Sequence, residues 1–236
     1  MDTINALLLS NSTNYGQSYM EHVKAEIADF LGDVKDVLFI PYAGVTISYD
    51  QYTATVQDNL APFGIQVTGI HTVDDPKEAI KNAKAIAVGG GNTFRLLQQL
   101  YEKELVGLIN NQVNLGTYYV GWSAGSNVAG QTICTTNDMP IVEPESFNAI
   151  GLVRYQINPH YSEATVPNHG GESRKARLLE YITLNKTDVV CLPEGSWVKI
   201  VNGVSTYHGN ENMKVYKYPN QVLDFELDNA NKYLNY

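Results

Sequence analysis

Short apolar runs alternate along the chain with stretches whose apolar residues recur every three or four positions. Ala6 to Leu9 is a buried-strand pattern ending in the polar run Ser10-Asn11-Ser12-Thr13. Tyr19, Val23, Ile27 and Phe30 follow at helical spacing, which predicts a helix over 17–31 closed by Gly32. Val37 to Ile40 reads as a second strand, closed by Pro41. Tyr52, Val56 and Leu60 mark a second helix that stops near Pro62-Phe63-Gly64. Ile65 to Ile70 is a third strand, and 76–82 a short helix capped by Asp74 or Asp75. Ala85 to Val88 is a fourth strand, followed directly by Gly89-Gly90-Gly91-Asn92 and a helix carrying Phe94, Leu97 and Leu100. Tyr118 to Val120 is a fifth apolar run, ending at Gly121.

Strand and helix signals in alternation imply crossover connections and a mainly parallel sheet flanked by helices, an α/β fold. After residue 150 the pattern changes. Gly151 to Ile157 and Val189 to Leu192 read as strands around a helix near 173–182. Four close-spaced runs then follow: Trp197 to Val201, Val204 to Tyr207, Met213 to Tyr218 and Val222 to Leu227. These predict a C-terminal antiparallel meander on the edge of the main sheet, within one domain spanning 1–236.

Ligands of parallel sheets bind at the carboxyl ends of the strands. Two loops fall there. One holds Gly121-Trp122-Ser123-Ala124-Gly125, a G-x-S-x-G sequence between strand and helix, the setting of a nucleophile elbow. The other is Gly89–Asn92. It lacks the G-x-G-x-x-G spacing and the lysine of phosphate loops, so it is read as oxyanion-hole backbone, with Gly90 and Ala124 as donors. Asn92 stands where it could bond a substrate.

A serine hydroxyl needs a base, and the base an orienting group. Of the five histidines, His22 and His71 read as structural. His160 follows a proline in Asn158-Pro159-His160-Tyr161, beyond a strand, and suits a base. Glu194, at another strand end, and Asp138 are the candidate carboxylates. Asp188 precedes its strand and belongs at the opposite rim. The chain order Ser123, Asp188, His208 is the other possible triad.

Composition narrows the partners. A net charge of −9 with no basic block argues against nucleic acid. No apolar run approaches the roughly 20 residues that span a bilayer. The start, Met1-Asp2-Thr3-Ile4-Asn5, lacks the pattern of a signal peptide. Two cysteines, Cys134 and Cys191, make neither a disulfide framework nor a structural zinc site. The expectation is a soluble, cytoplasmic chain, monomer or homodimer.

Ser10-Asn11-Ser12, Gly89-Gly90-Gly91-Asn92-Thr93-Phe94, Gly121-Trp122-Ser123-Ala124-Gly125-Ser126, Thr135-Thr136-Asn137-Asp138-Met139-Pro140-Ile141, Asn158-Pro159-His160-Tyr161 and Leu192-Pro193-Glu194-Gly195 together resemble the peptidase E family of aspartyl dipeptidases. The resemblance spans nearly the whole chain. It implies a fold similar to class I glutamine amidotransferases and metal-free cleavage of dipeptides with an N-terminal aspartate. It implies Ser123 as nucleophile, His160 as base, Glu194 as orienter of His160, and Asp138 as a pocket or triad residue. The stretch His169-Gly170-Gly171-Glu172-Ser173-Arg174 is similar to the family's Gly-Glu-Thr-Arg segment and makes Arg174 the candidate partner of the substrate β-carboxylate. Asp138 or Glu172 could meet the ammonium. A related serine hydrolase, cyanophycinase, cuts β-linked aspartyl chains. That activity and an inert binding domain of the same fold are the other readings.

Overall fold

A computed structural model describes residues 4–164 and 170–235. Its central sheet has seven strands in the order β3-β2-β4-β5-β1-β8-β9. They are β1 (Asn5–Leu9), β2 (Asp36–Ile40), β3 (Gln66–Gly69), β4 (Ala85–Val88), β5 (Tyr118–Trp122), β8 (Trp197–Val201) and β9 (Val204–His208). The first five run parallel, and β8 and β9 continue the sheet antiparallel. A second sheet has the order β11-β10-β7-β6, from β6 (Gln156–Tyr161), β7 (Val189–Pro193), β10 (Met213–Lys217) and β11 (Gln221–Phe225).

Side-chain alternation explains how these strands pack. Leu7 and Leu9 of β1 join Phe39, Val120 and Trp122 against helices α1 (Lys24–Leu31) and α2 (Tyr49–Leu60). Ala6 and Leu8 face the opposite way. They share a core with Val88, Tyr119, Ile157, Val190, Leu192 and Val215, so this core joins the two sheets. Strands buried on both faces read as continuous apolar runs, and that is why β1, β2, β4 and β5 were visible in the sequence, whereas β3 is an edge strand with only Gly69 buried. The outer face of the second sheet is covered by α7 (Arg174–Asn185), where Leu178 and Ile182 meet Val189, Cys191 and Tyr216.

The structure corrects several expectations. The helix expected over 17–31 begins only at Lys24. Met20 sits at φ +56, and its N–H bonds the Ser12 carbonyl, so the chain turns here and brings Ser12 and Tyr19 to the wall of a cavity. Two helices escaped the pattern. In α5 (Val106–Asn114) only Ile109 and Val113 are buried, and in α8 (Leu227–Leu234) only Ala230. The strand expected over 151–157 lies at Gln156–Tyr161. β6 pairs only with β7, and a proline without its N–H is tolerated on such an edge strand. The C-terminal strands are antiparallel but do not form one meander: β8 and β9 extend the first sheet, β10 and β11 the second.

Gly125, in the first turn of α6 (Ala124–Asn127), lies against the backbone of β4. A side chain at Gly125 would be driven into the Val88 carbonyl. Gly125→Ala is therefore expected to lower stability by about 3 kcal/mol, because backbone of the central sheet must move. Urea unfolding measures this. A midpoint equal to that of the parent chain would contradict the packing described.

Among the described residues no helix is long and apolar enough to cross a membrane. Cys134 is exposed, Cys191 is buried, and both are free thiols.

Candidate active site

Ser123 occupies the turn between β5 and α6 with φ +53 and ψ −112. Such a backbone conformation costs on the order of 1–3 kcal/mol and persists only where the surroundings enforce it. The enforcement is visible here. The Ser123 N–H donates to the Leu9 carbonyl at 3.1 Å, and its own carbonyl accepts from Ser126 and Asn127 as the short helix begins. The neighbouring hydroxyl in the motif, Ser126, is fully buried and spent on the Leu9 and Gly121 carbonyls. Only Ser123 is left to face solvent.

His160 lies within β6 rather than beyond it, as the sequence had suggested. It sits at φ +53 where the β6–β7 register shifts between Asn158 and Tyr161. A bulge of this kind re-aims a side chain. Its Nε2 is 2.8 Å from Ser123 Oγ, and its Nδ1 is 3.0 Å from Glu194 Oε1. Glu194 follows the end of β7, at the same rim. Both ring nitrogens thus have partners. The side chains of His160 and Glu194 are 39% and 54% exposed, so solvent screens their charge interaction and the contact works mainly through geometry.

Asp138 is placed differently. Its Oδ2 accepts from the Thr93 N–H at 2.7 Å, the Thr93 hydroxyl at 2.6 Å and the Thr136 hydroxyl at 3.1 Å. It therefore satisfies the first N–H of helix α4 (Thr93–Glu102), whose N-cap is Asn92, and it does not orient His160. Asn92 is also used by the fold. Its Oδ1 accepts from the Arg95 N–H, and its Nδ2 donates to the Met139 carbonyl. The two contacts tie the 136–139 segment to the glycine loop, so a substrate would meet Asn92 only with atoms these bonds leave over.

The glycine loop abuts the serine. A side chain at Gly90 would stand 3.0 Å from Ser123 Cβ. The Gly90 carbonyl accepts from the Tyr52 hydroxyl at 3.1 Å, and that hydroxyl accepts from Trp122 Nε1 at 3.0 Å. Burial pushes the Tyr52 phenol up, so it stays a donor. Gly91 sits at φ +135, and any side chain there would meet the Ala43 carbonyl. Gly90 and the first residue of α6, Ala124, thus flank Ser123 from two sides.

A cavity of 620 Å³ opens over this site, lined by Tyr19, Ala43, Ile47, Tyr52, Ser123 and His160 among others. A second cavity of 410 Å³ is lined by Asp138, Asn158, Glu172, Arg174 and Arg177 and shares no lining residue with the first. Arg174 Nη1 donates to the His160 carbonyl, so the candidate carboxylate binder touches the backbone of the candidate base. The sequence offered no signal for this contact. His169 lies outside the described residues.

His71 and His208 are elsewhere. His71 Nε2 meets Asp50 at 2.8 Å, and the ring of His208 stacks on Trp197 at 5.5 Å. Asp188 accepts from the Tyr233 hydroxyl and lies 3.5 Å from Lys217 Nζ, at the start of β7. The alternative triad of Ser123, Asp188 and His208 is therefore not assembled. Among the described residues no group of three or more His, Cys, Asp or Glu side chains is placed to hold a metal.

A model of peptidase family S51 matches residues 6–207. Peptidase E of a Nostoc species is 47% identical, over 95% of this chain and 97% of its own. Peptidase E of Escherichia coli is 45% identical, over 93% and 96%. Two solved structures share the fold. A candidate peptidase E from Listeria monocytogenes has a TM-score of 0.66 at 23% identity, covering 87% of this chain and 98% of its own. A peptidase from an acI-B1 actinobacterium has a TM-score of 0.70 at 17% identity, covering 94% and 95%.

Proposed function

The chain belongs to peptidase family S51 and is a serine dipeptidase, and on that premise we propose that it hydrolyses dipeptides with an N-terminal aspartate. Ser123 is the nucleophile, His160 the base and Glu194 the orienter. The observation that carries this reading is the run of contacts from Ser123 Oγ through both His160 nitrogens to Glu194, at 2.8 and 3.0 Å. A base within such reach of a hydroxyl is the geometric requirement for activating it.

Ser123 Oγ attacks the peptide carbonyl while His160 Nε2 takes its proton. The carbonyl oxygen becomes an oxyanion between the backbone N–H groups of the glycine loop and Ala124. Donors already in place there stabilise the developing charge without reorganising. His160 then protonates the leaving amine. Water repeats the sequence to free aspartate. Glu194 accepts the Nδ1–H throughout, which keeps Nε2 free to act as the base.

The demand for an acid rests on the arginines of the second cavity. Arg174 keeps donors beyond the one given to the His160 carbonyl, since a guanidinium carries five N–H groups. A β-carboxylate can pair with them bidentately. A panel of X-Leu dipeptides tests the reading. Asp-Leu should be cleaved about 10²-fold or more faster than Asn-Leu, since a guanidinium pairs bidentately with the carboxylate and cannot do so with the amide. Equal rates on Asp-Leu and Asn-Leu would refute acid recognition. Arg174→Met should narrow the ratio. If it slows both substrates equally, Arg174 only positions His160.

A further inference from the structure

The nucleophile and the other two members of the triad stand on different sheets. Ser123 follows β5 of the seven-stranded sheet, whereas His160 and Glu194 belong to β6 and the end of β7 in the four-stranded one. The sheets share no strand and meet through an apolar core. Apolar contact is non-directional. It brings two sheets together but does not set their relative register to the roughly 0.5 Å that catalytic groups require.

Three consecutive residues, Leu9 at the end of β1 and Ser10 and Asn11 just after it, touch the three triad segments, and the contacts of Ser10 and Asn11 cross this gap. The Leu9 carbonyl accepts from the Ser123 N–H at 3.1 Å. Ser10 Oγ accepts from the His160 N–H at 2.9 Å and donates to the Leu192 carbonyl at 2.8 Å. Asn11 Oδ1 accepts from the Gly195 N–H at 2.8 Å, immediately after Glu194. Each residue thus holds one segment of the triad. Ser10 is completely buried and Asn11 is 2% exposed. Asn11 is itself locked, with Nδ2 bonded to the Thr13 carbonyl and to Asn14 Oδ1. The bulge in β6 leaves His160 beside Ser10, and its carbonyl takes the Arg174 guanidinium instead of a strand partner.

We infer that Ser10 and Asn11 are positioning residues that hold His160 and the Glu194 turn in register with Ser123 across the boundary between the two sheets. The inference rests on the triad assigned above. Neither side chain touches substrate. A buried hydroxyl could also serve stability alone, and kinetics separates the two roles. A misplacement of about 1 Å can cost on the order of 10²-fold in rate. A purely structural hydroxyl would lower the melting temperature and leave kcat intact.

The test is Ser10→Ala in the full chain, assayed on Asp-Leu below its melting temperature, alone and combined with Glu194→Gln. Ser10→Ala is expected to lower kcat by about 10- to 100-fold, with KM within about twofold. In the Glu194→Gln background the further loss should shrink to about twofold, because the alignment Ser10 maintains is already lost. The downfield ring N–H proton resonance of His160 should shift or broaden in Ser10→Ala. A folded Ser10→Ala with kcat within twofold of the parent overturns the inference, as do penalties that simply multiply in the double variant. If Ser10→Ala does not fold, Asn11→Ala is read by the same cycle, and loss of folding in both overturns a positioning role. If Ser123→Ala keeps turnover, the triad itself is wrong. If Ser123→Ala is inert while Ser10→Ala runs at full rate, only the positioning role falls.

Discussion

Ser123→Ala is expected to lower turnover of Asp-Leu by about 10³-fold or more while leaving the fold in place. The hydroxyl touches Nε2 of the His160 ring at 2.8 Å, and alanine can take no part in acyl transfer. The residue left behind keeps the same turn. The Ser123 N–H still bonds the Leu9 carbonyl, and the carbonyl still caps the short helix. The melting temperature should therefore stay within a few degrees, since the variant leaves the packing of the elbow intact. Rates are measured with product detection sensitive enough to exclude contaminating peptidase. Turnover within tenfold of the parent chain would remove Ser123 from the mechanism. The neighbouring Ser126 makes a sharp contrast: its hydroxyl is buried and bonded to two carbonyls, so its loss should appear in stability.

Glu194→Gln and Asp138→Asn should fail in different ways. Glutamine at 194 keeps the size of the side chain but removes the anion, and it can present its amide N–H to His160 Nδ1. The imidazole would then hold its proton on Nε2, the nitrogen that must accept one from Ser123. Loss of a triad acid by this route can reach about 10⁴-fold. Glu194 is half exposed, so water can substitute in part, and a fall of about 10²-fold is expected here. Its melting temperature should be nearly unchanged. Asp138→Asn instead strikes the support of Thr93 in the first turn of α4. Three donors converge on its Oδ2, and an amide cannot serve all of them. A stability loss of about 1–2 kcal/mol is expected. Activity should fall only as far as the glycine loop, tied to the same segment through Asn92 and the Met139 carbonyl, is disturbed. Similar melting curves with Asp138→Asn the slower enzyme would reverse the two roles.

Much of the scaffold could be read in the residues. Four of the five parallel strands showed as apolar runs because both of their faces are buried, and Ser123 followed from the small residues where its helix presses on the sheet. A capping aspartate at 74 or 75 was also legible, and the structure gives the role to Asp75, whose side chain accepts from the N–H groups two and three residues on. The elements that were missed are those whose stability is not local. Helices α5 and α8 bury one or two apolar side chains each and are fixed by what they rest on. The turn before Lys24 carries helical periodicity, yet a bond from Met20 to Ser12 decides its path.

The site divides in the same way. From the chain alone came the chemical types and their placement at strand ends: a serine elbow, a histidine, two carboxylates and a bare glycine loop. The sequence could not choose between Glu194 and Asp138, because both lie near strand or helix ends and both suit an imidazole. Only the folded molecule separated them, giving one to His160 and the other to Thr93. It also placed His160 on a bulge at positive φ and gave its carbonyl to Arg174. Residue type follows from chemistry that each position carries by itself. Partnership depends on distances of about 3 Å between segments tens of residues apart, and the distance from Ser123 to His160 exists only once two separate sheets have been packed and pinned together.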